Sequence, residues 1–279
     1  MRRALALVAA ATTLLLAESL HAGNARTRVL ITGFEPFDGR PTNNSWEIAK
    51  AVAAARAELG SHVEVSTCLI PVVYDSAARI AEACFDAAAV KPDIVLSLGE
   101  AGCQLRMETA AHNLDDTPGY ADNAGSIHEK SPIDPSAPEH IGFNLPAPEM
   151  YCDLSRDARK DTQVSETPGG FVCNNTAFHL ARYFAGKPVQ YGFIHVPAST
   201  CGEAADVAKT AKPLARMLKR LDRFNARGSD RVEATLPHCT NDIRLPTTAG
   251  GVEDLLATLA NLANDDCRRE FLERLKERL

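Results

Sequence analysis

Residues 62–99 read HVEVSTCLIPVVYDSAARIAEACFDAAAVKPDIVLSLG, and their pattern sets the fold class. The first twelve alternate apolar and polar and then turn wholly apolar, as a strand does when it runs into a core. The next stretch, 74–92, reads as a helix and stops at Pro92, which cannot continue one. Asp93 to Gly99 is a short apolar run ended by glycine, a buried strand. Strand, helix and strand at this spacing form a βαβ unit. Its strands are parallel, and a parallel sheet is covered by helices on both faces.

The same alternation extends in both directions. Upstream, RVLITGFEPF (28–37) opens with apolar Val29 to Ile31 and is bounded by Gly33, a further buried strand. NNSWEIAKAVAAARAELG (43–60) sets Glu47 three residues after Asn44, a capping-box pattern, and ends at Gly60. Downstream, Asp115 to Gly170 is irregular and rich in proline, with one helix expected near Ala147 to Lys160; so long a loop suits a lid. A helix then follows Cys173, VQYGFIHVP (189–197) reads as a strand, and a long helix spans about Gly202 to Phe224. ARGSD (226–230) has linker composition, and a last amphipathic helix is expected over Val252 to Lys276. The expected architecture is α/β: three layers, α/β/α, around a mostly parallel sheet.

The chain has 279 residues, 45% hydrophobic and 24% charged, with formal charge -6, which is enough chain for a full core. An acidic chain of this composition is not expected to seek nucleic acid or an anionic membrane. The first residues, MRRALALVAAATTLLLAESLHAGNA (1–25), pair two arginines with an apolar run and then small residues. That is a secretory signal pattern, with cleavage expected after Ala25, and the apolar run is short of the roughly 20 residues a spanning helix needs. The expected organisation is a signal peptide at 1–25, a catalytic domain at 26–228 and a C-terminal extension with a helix at 229–279. Export, periplasmic or secreted, permits disulfides among the eight cysteines, whose spacing gives no connectivity. With neither a CxxC pair nor an HExxH motif, no metal site is expected.

Three side chains stand out. Cys173, in TPGGFVCNNTAFHLARYF (167–184), sits where a loop enters a helix, and free N–H groups there favour a thiolate and can hold an oxyanion. His195 ends the strand GFIHVP, and Glu108 follows the strand DIVLSLG and its turn. Carboxyl ends of strands in an open α/β sheet bound the ligand crevice, so nucleophile, base and orienting carboxylate fall on one rim. Taken singly, Cys173 reads as a core cysteine, His195 as a satisfied histidine and Glu108 as a solvated carboxylate. His112 and His179 read as structural. Asn174-Asn175-Thr176 matches a glycosylation sequon, read as chance because a glycan there would block the thiol.

Four motifs in order resemble the pyroglutamyl peptidase I family of cysteine peptidases. They are VLITGFEPFDG with NNSWE, METAAHNLDD, GGFVCNNTAFH and FIHVP, spanning about residues 28–200. The resemblance implies an α/β/α fold and a triad of Cys173, His195 and Glu108. It also implies a substrate pocket with Phe34 and Phe37, beside the Phe171–Val172 pair that leads into the thiol. The implied substrates are peptides with N-terminal pyroglutamate, a neutral lactam that needs apolar walls and a few placed hydrogen bonds. No cofactor is implied, and the family's tetramers make further copies of the chain expected partners.

The chain also departs from the family pattern. Thr109 stands where an arginine usually follows the glutamate, DDTPGY lacks a second usual arginine, and Cys103 stands where glycine is common. Arg106 is the nearest substitute. These departures keep two other readings open: a thiol amidase of altered specificity on the same fold, and an exported peptide-binding protein without turnover.

Overall fold

The computed structural model describes residues 26–231 and 266–276. The signal-peptide reading of residues 1–25 lies outside them. In chain order the elements are strand β1 (Thr27–Phe34), helices α1 (Asn44–Ala54) and α2 (Arg56–Leu59), β2 (Val63–Ile70), α3 (Ser76–Ala87), β3 (Ile94–Glu100), β4 (Leu105–Glu108), β5 (Ala110–His112), β6 (His140–Gly142), α4 (Ala147–Asp153), α5 (Arg156–Lys160), β7 (Thr162–Ser165), α6 (Val172–Phe184), β8 (Gln190–Val196), a short 3-10 turn (Gly202–Ala205), α7 (Val207–Arg231) and α8 (Asp266–Lys276).

Six strands form one sheet in the order β2-β1-β3-β8-β4-β7. β2, β1, β3 and β8 run parallel; β4 runs antiparallel to β8 and carries β7 parallel to itself. The expected three-layer α/β/α fold is therefore present. Successive residues of a strand face opposite sides, so each central strand feeds two cores. Val29, Ile31, Ile94, Leu96, Leu98 and Ile194 pack with α1, α4 and α7, while Leu30, Val95, Tyr191 and Phe193 pack with α3 and α6.

α1 presses so closely on β1 that a Cβ on Gly33 would meet Ser45 O at 2.7 Å. Its N-cap is Asn43 rather than Asn44: the Asn43 side chain accepts from Ser45 N, while Asn44 Nδ2 donates to Pro197 O and Ala205 O. With two adjacent asparagines either could cap, and the contacts across the fold assign the roles.

Several elements differ from expectation. β4 lies in the stretch read as a turn after β3, and β5, β6 and β7 lie in stretches given no strand; each has only 3 or 4 residues, too short for a period to register. The helix expected over Ala147 to Lys160 is two, because Leu154 leaves helical geometry and Ser155 caps the second. α7 runs to Arg231 through residues 226–230, where a linker was expected; a single glycine costs a long helix only about 1 kcal/mol. The last helix occupies Asp266–Lys276, and the expected portion from 252 to 265 lies outside the described residues. Phe271 is 3% exposed in the core with α4 and α7, and Glu270 Oε1 accepts from Tyr151 Oη at 3.1 Å.

The segment from 113 to 139 is tied down at many points. Buried Asp122 accepts from Tyr74 N, Ala124 N and Ser126 N, Asp116 N donates to Gly170 O, and Asp115 bridges Ser131. Disulfides join Cys68 to Cys84 and Cys103 to Cys201, Cys152 is disulfide-bonded too, and Cys173 is the free thiol among the described cysteines.

Candidate active site

Cys173 is the second residue of α6, after the extended N-cap Phe171. The first N–H groups of a helix lack intrahelical acceptors, so the thiol stands among free donors. Its Sγ lies over Gly99 at the end of β3, where a Cβ would come within 2.9 Å of it. Gly99 is the cross-strand partner of His195 on β8. Phe193 and His195, two residues apart, share a side of the sheet, and Phe193 packs into the core that α6 covers. Thiol and imidazole therefore meet at the same side of the sheet, at the carboxyl ends of β3 and β8.

His195 is 1% exposed and Glu108 3%. His195 Nδ1 lies 2.7 Å from Glu108 Oε1, so a carboxylate there holds the Nδ1–H and leaves Nε2 as the free lone pair. Glu108 is not on a rim loop, as its position after a turn suggested. It sits inside the sheet on β4, opposite Phe193, because β4 folds back beside β8.

That pairing also brings in Arg106. It is the register partner of His195, and two residues from Glu108 it faces the same side. Its Nε donates to Glu108 Oε1 at 2.8 Å, and its Nη2 lies 3.2 Å from His195 Nδ1. Thr109, at the family's usual arginine position, instead donates through N and Oγ1 to Ser165 O. The period-2 pattern of Leu105, Arg106, Met107 and Glu108 was the signal for Arg106, hidden because the strand is only 4 residues long.

Burial pushes the Cys173 thiol up to about 12, the Glu108 and Glu100 carboxylates add to the rise, and Arg106 opposes it. Burial also lowers the His195 imidazole, against the pull of Glu108. For both groups desolvation acts against the charged form.

Glu100 is held at the same edge by an ion pair with Arg40 and by Asn44 N. The next residue after the thiol, Asn174, is fully buried; its Nδ2 donates to His112 O and Leu114 O, so it offers no glycan acceptor. Asn175 donates to buried Asp115, which His128 also contacts at 3.0 Å.

The expected pocket residues separate. Phe37 and Phe171 are half-buried with ring centroids 5.2 Å apart, and both meet Tyr120, at 5.5 and 5.6 Å. Tyr74 packs edge-on to Phe171 at 5.6 Å. Tyr120 and Tyr74 thus complete an aromatic wall whose members come from four distant segments. Phe34, 2% exposed, and Val172, 0% exposed, pack in the core behind that wall.

Comparison with known proteins agrees with this geometry. A family model described as pyroglutamyl peptidase matches residues 27–219. The chain is similar to the pyrrolidone-carboxylate peptidases of Erwinia tasmaniensis, 35% identical over 172 residues (61% of this chain, 78% of that one), and Gloeobacter violaceus, 37% identical over 175 residues (61% and 81%). Among solved structures it resembles Bacillus amyloliquefaciens pyroglutamyl peptidase I, at TM-score 0.61 and 25% identity, over 70% of this chain and 98% of that one. The pyrrolidone carboxyl peptidase of Fervidobacterium islandicum aligns at TM-score 0.60 and 28% identity, over 71% and 99%. With the matched segment enclosing Glu108, Cys173 and His195 and covering most of the chain, this protein belongs to the pyroglutamyl peptidase family of cysteine peptidases.

Proposed function

We propose that Cys173, His195 and Glu108 are the nucleophile, base and orienting carboxylate of a pyrrolidone-carboxylate peptidase. The enzyme removes N-terminal pyroglutamate from peptides. The observation that carries the residue roles is the Glu108–His195 contact of 2.7 Å beside a free thiol at a helix start. Cys173 Sγ attacks the pyroglutamyl carbonyl carbon while His195 Nε2 takes the thiol proton. The N–H groups at the start of α6 hold the tetrahedral oxyanion. Collapse breaks the C–N bond, and Nε2 returns the proton to the leaving amine. Water then attacks the thioester, passing a proton through Nε2 to the sulfur, and pyroglutamate leaves.

Phe37 and Phe171, with Tyr120, form the apolar wall for the lactam ring, while Phe34 and Val172 support it from the core. Arg106 supplies, from two residues upstream of Glu108, a positive charge beside the histidine. Export through residues 1–25 is part of the proposal; the signal pattern and the disulfides Cys68–Cys84 and Cys103–Cys201 support it.

The test is release of a fluorophore from its pyroglutamyl amide, with prolyl and glutaminyl amides alongside. Release is expected from the pyroglutamyl amide alone, and Cys173→Ala should lower kcat on the order of 10³-fold or more. Undiminished turnover by a folded Cys173→Ala variant would remove the thiol from the mechanism. Equal turnover of all three amides would point to altered specificity.

A further inference from the structure

Two histidines face one carboxylate at a distance from the catalytic groups. His112 ends β5, His140 begins β6, and the two are direct cross-strand partners. Asn113 N donates to Glu139 O at 2.7 Å and Phe143 N to Thr109 O at 2.9 Å. By the alternation of an antiparallel ladder, the histidines occupy the non-hydrogen-bonded rung, where side chains approach closest. Their rings stack with centroids 4.4 Å apart and planes 1° from parallel. Both Nε2 atoms lie near Glu139 Oε1, at 3.6 Å from His112 and 3.8 Å from His140. All three ligand atoms lie within 4.8 Å of one another.

We propose that His112, Glu139 and His140 form a site for a borderline divalent transition-metal ion of the zinc type, with water in the remaining position. Two imidazoles and a carboxylate are a donor set that such ions prefer, whereas magnesium and calcium favour all-oxygen cages. Tetrahedral zinc bonds to nitrogen and oxygen place ligand atoms about 3.3 Å apart. The two separations to Glu139 need to close by only a few tenths of an ångström, and the Glu139 side chain, 68% exposed, has room to turn. The stacked rings must tilt so that their lone pairs converge.

The site has a structural consequence. His112 and Glu139 are the two ends of the 113–139 excursion, which brings Tyr120 to the aromatic wall and Asp115 to Asn175. Asn174, next to Cys173, grips the His112 backbone on both sides: its Oδ1 accepts from His112 N at 2.9 Å and its Nδ2 donates to His112 O at 2.7 Å. A bound ion would clasp the base of the excursion and stiffen the strand pair against which α6 is held, without touching a reacting atom.

The test is equilibrium dialysis with Zn²⁺ on the disulfide-intact chain carrying Cys173→Ala, so that the thiol cannot take the ion. One ion per chain is expected. His140→Ala should weaken binding by more than about 100-fold, beyond the 10- to 100-fold that loss of an outer-shell partner costs. Zn²⁺ should also raise Tm, and His140→Ala should abolish that rise. Co²⁺ should give a visible d–d spectrum with no thiolate charge-transfer band. Glu139→Gln, at an exposed position, keeps the measurement decisive if His140→Ala does not fold; it should weaken binding as well. No saturable Zn²⁺ binding in the Cys173→Ala chain, or binding unchanged by these substitutions, would overturn the site. The readout is ion binding, so peptidase activity does not enter it.

Discussion

At the scale of single residues, desolvation acts against the charged forms of both the thiol and the imidazole, and pH dependence follows from that. Attack requires His195 as the neutral base. kcat/KM is therefore expected to fall on the acid side only below the ordinary imidazole value of about 6.5, since burial lowers this group. The thiol, pushed up to about 12, should place no limb in the neutral range. Stability carries the same signs. His195 binds its proton less readily folded than unfolded, so its contribution is full above about 6.5 and is lost as pH falls from there through the folded value. Cys173 contributes fully below the ordinary thiol value of about 8.5 and loses that contribution as pH rises through the folded one. Measuring kcat/KM against pH, with thiolate absorbance compared between the wild type and Cys173→Ala, checks this. Thiolate absorbance at neutral pH would mean a resting thiolate–imidazolium pair instead.

At the scale of elements, the site depends on how closely α6 approaches the end of β3. A Cβ on Gly99 would lie 2.9 Å from Cys173 Sγ and 2.8 Å from the Phe193 ring. Gly99→Ala therefore has to displace the thiol, the ring or both. A shift of about 1 Å in a reacting group costs on the order of 10²-fold in rate. The expected result is a fall of that order in kcat with KM little changed and a folded protein by circular dichroism. An unchanged kcat would mean that the nucleophile does not attack from over Gly99. β4 matters equally: by running antiparallel to β8 it sets Glu108 and Arg106 beside His195, which a parallel strand in a loop-rim arrangement would not do.

At the scale of the whole molecule, the C-terminal helix is part of the core rather than an accessory. Phe271 packs edge-on to Tyr151 at 5.6 Å, and Arg274 donates to Thr162 O at the start of β7. Phe271→Ala should lower unfolding stability by about 3–5 kcal/mol, as truncation of a buried phenylalanine does. A urea midpoint series checks it. A change within about 0.5 kcal/mol, usual for surface positions, would mean that α8 contributes no core.

The sequence by itself determined the βαβ frame and marked Cys173, His195 and Glu108 as candidates. Long apolar strands and capped helices leave periodic patterns, and the motifs keep their order along the chain. Only the tertiary structure decided the rest. Arg106, in the sequence only the nearest substitute for a missing arginine, was set beside Glu108 and His195 once β4 paired with β8, because four residues are too few to show a period. Tyr74, Tyr120, Phe37 and Phe171 became one wall only when four segments met. The upward push on the Cys173 thiol and the downward push on the His195 imidazole came from burial, which helix position alone does not disclose. His112, Glu139 and His140 converge across a 27-residue separation that no local spacing rule spans. Local propensity and motif order act along the chain, whereas cross-strand contact and desolvation depend on what the fold brings alongside.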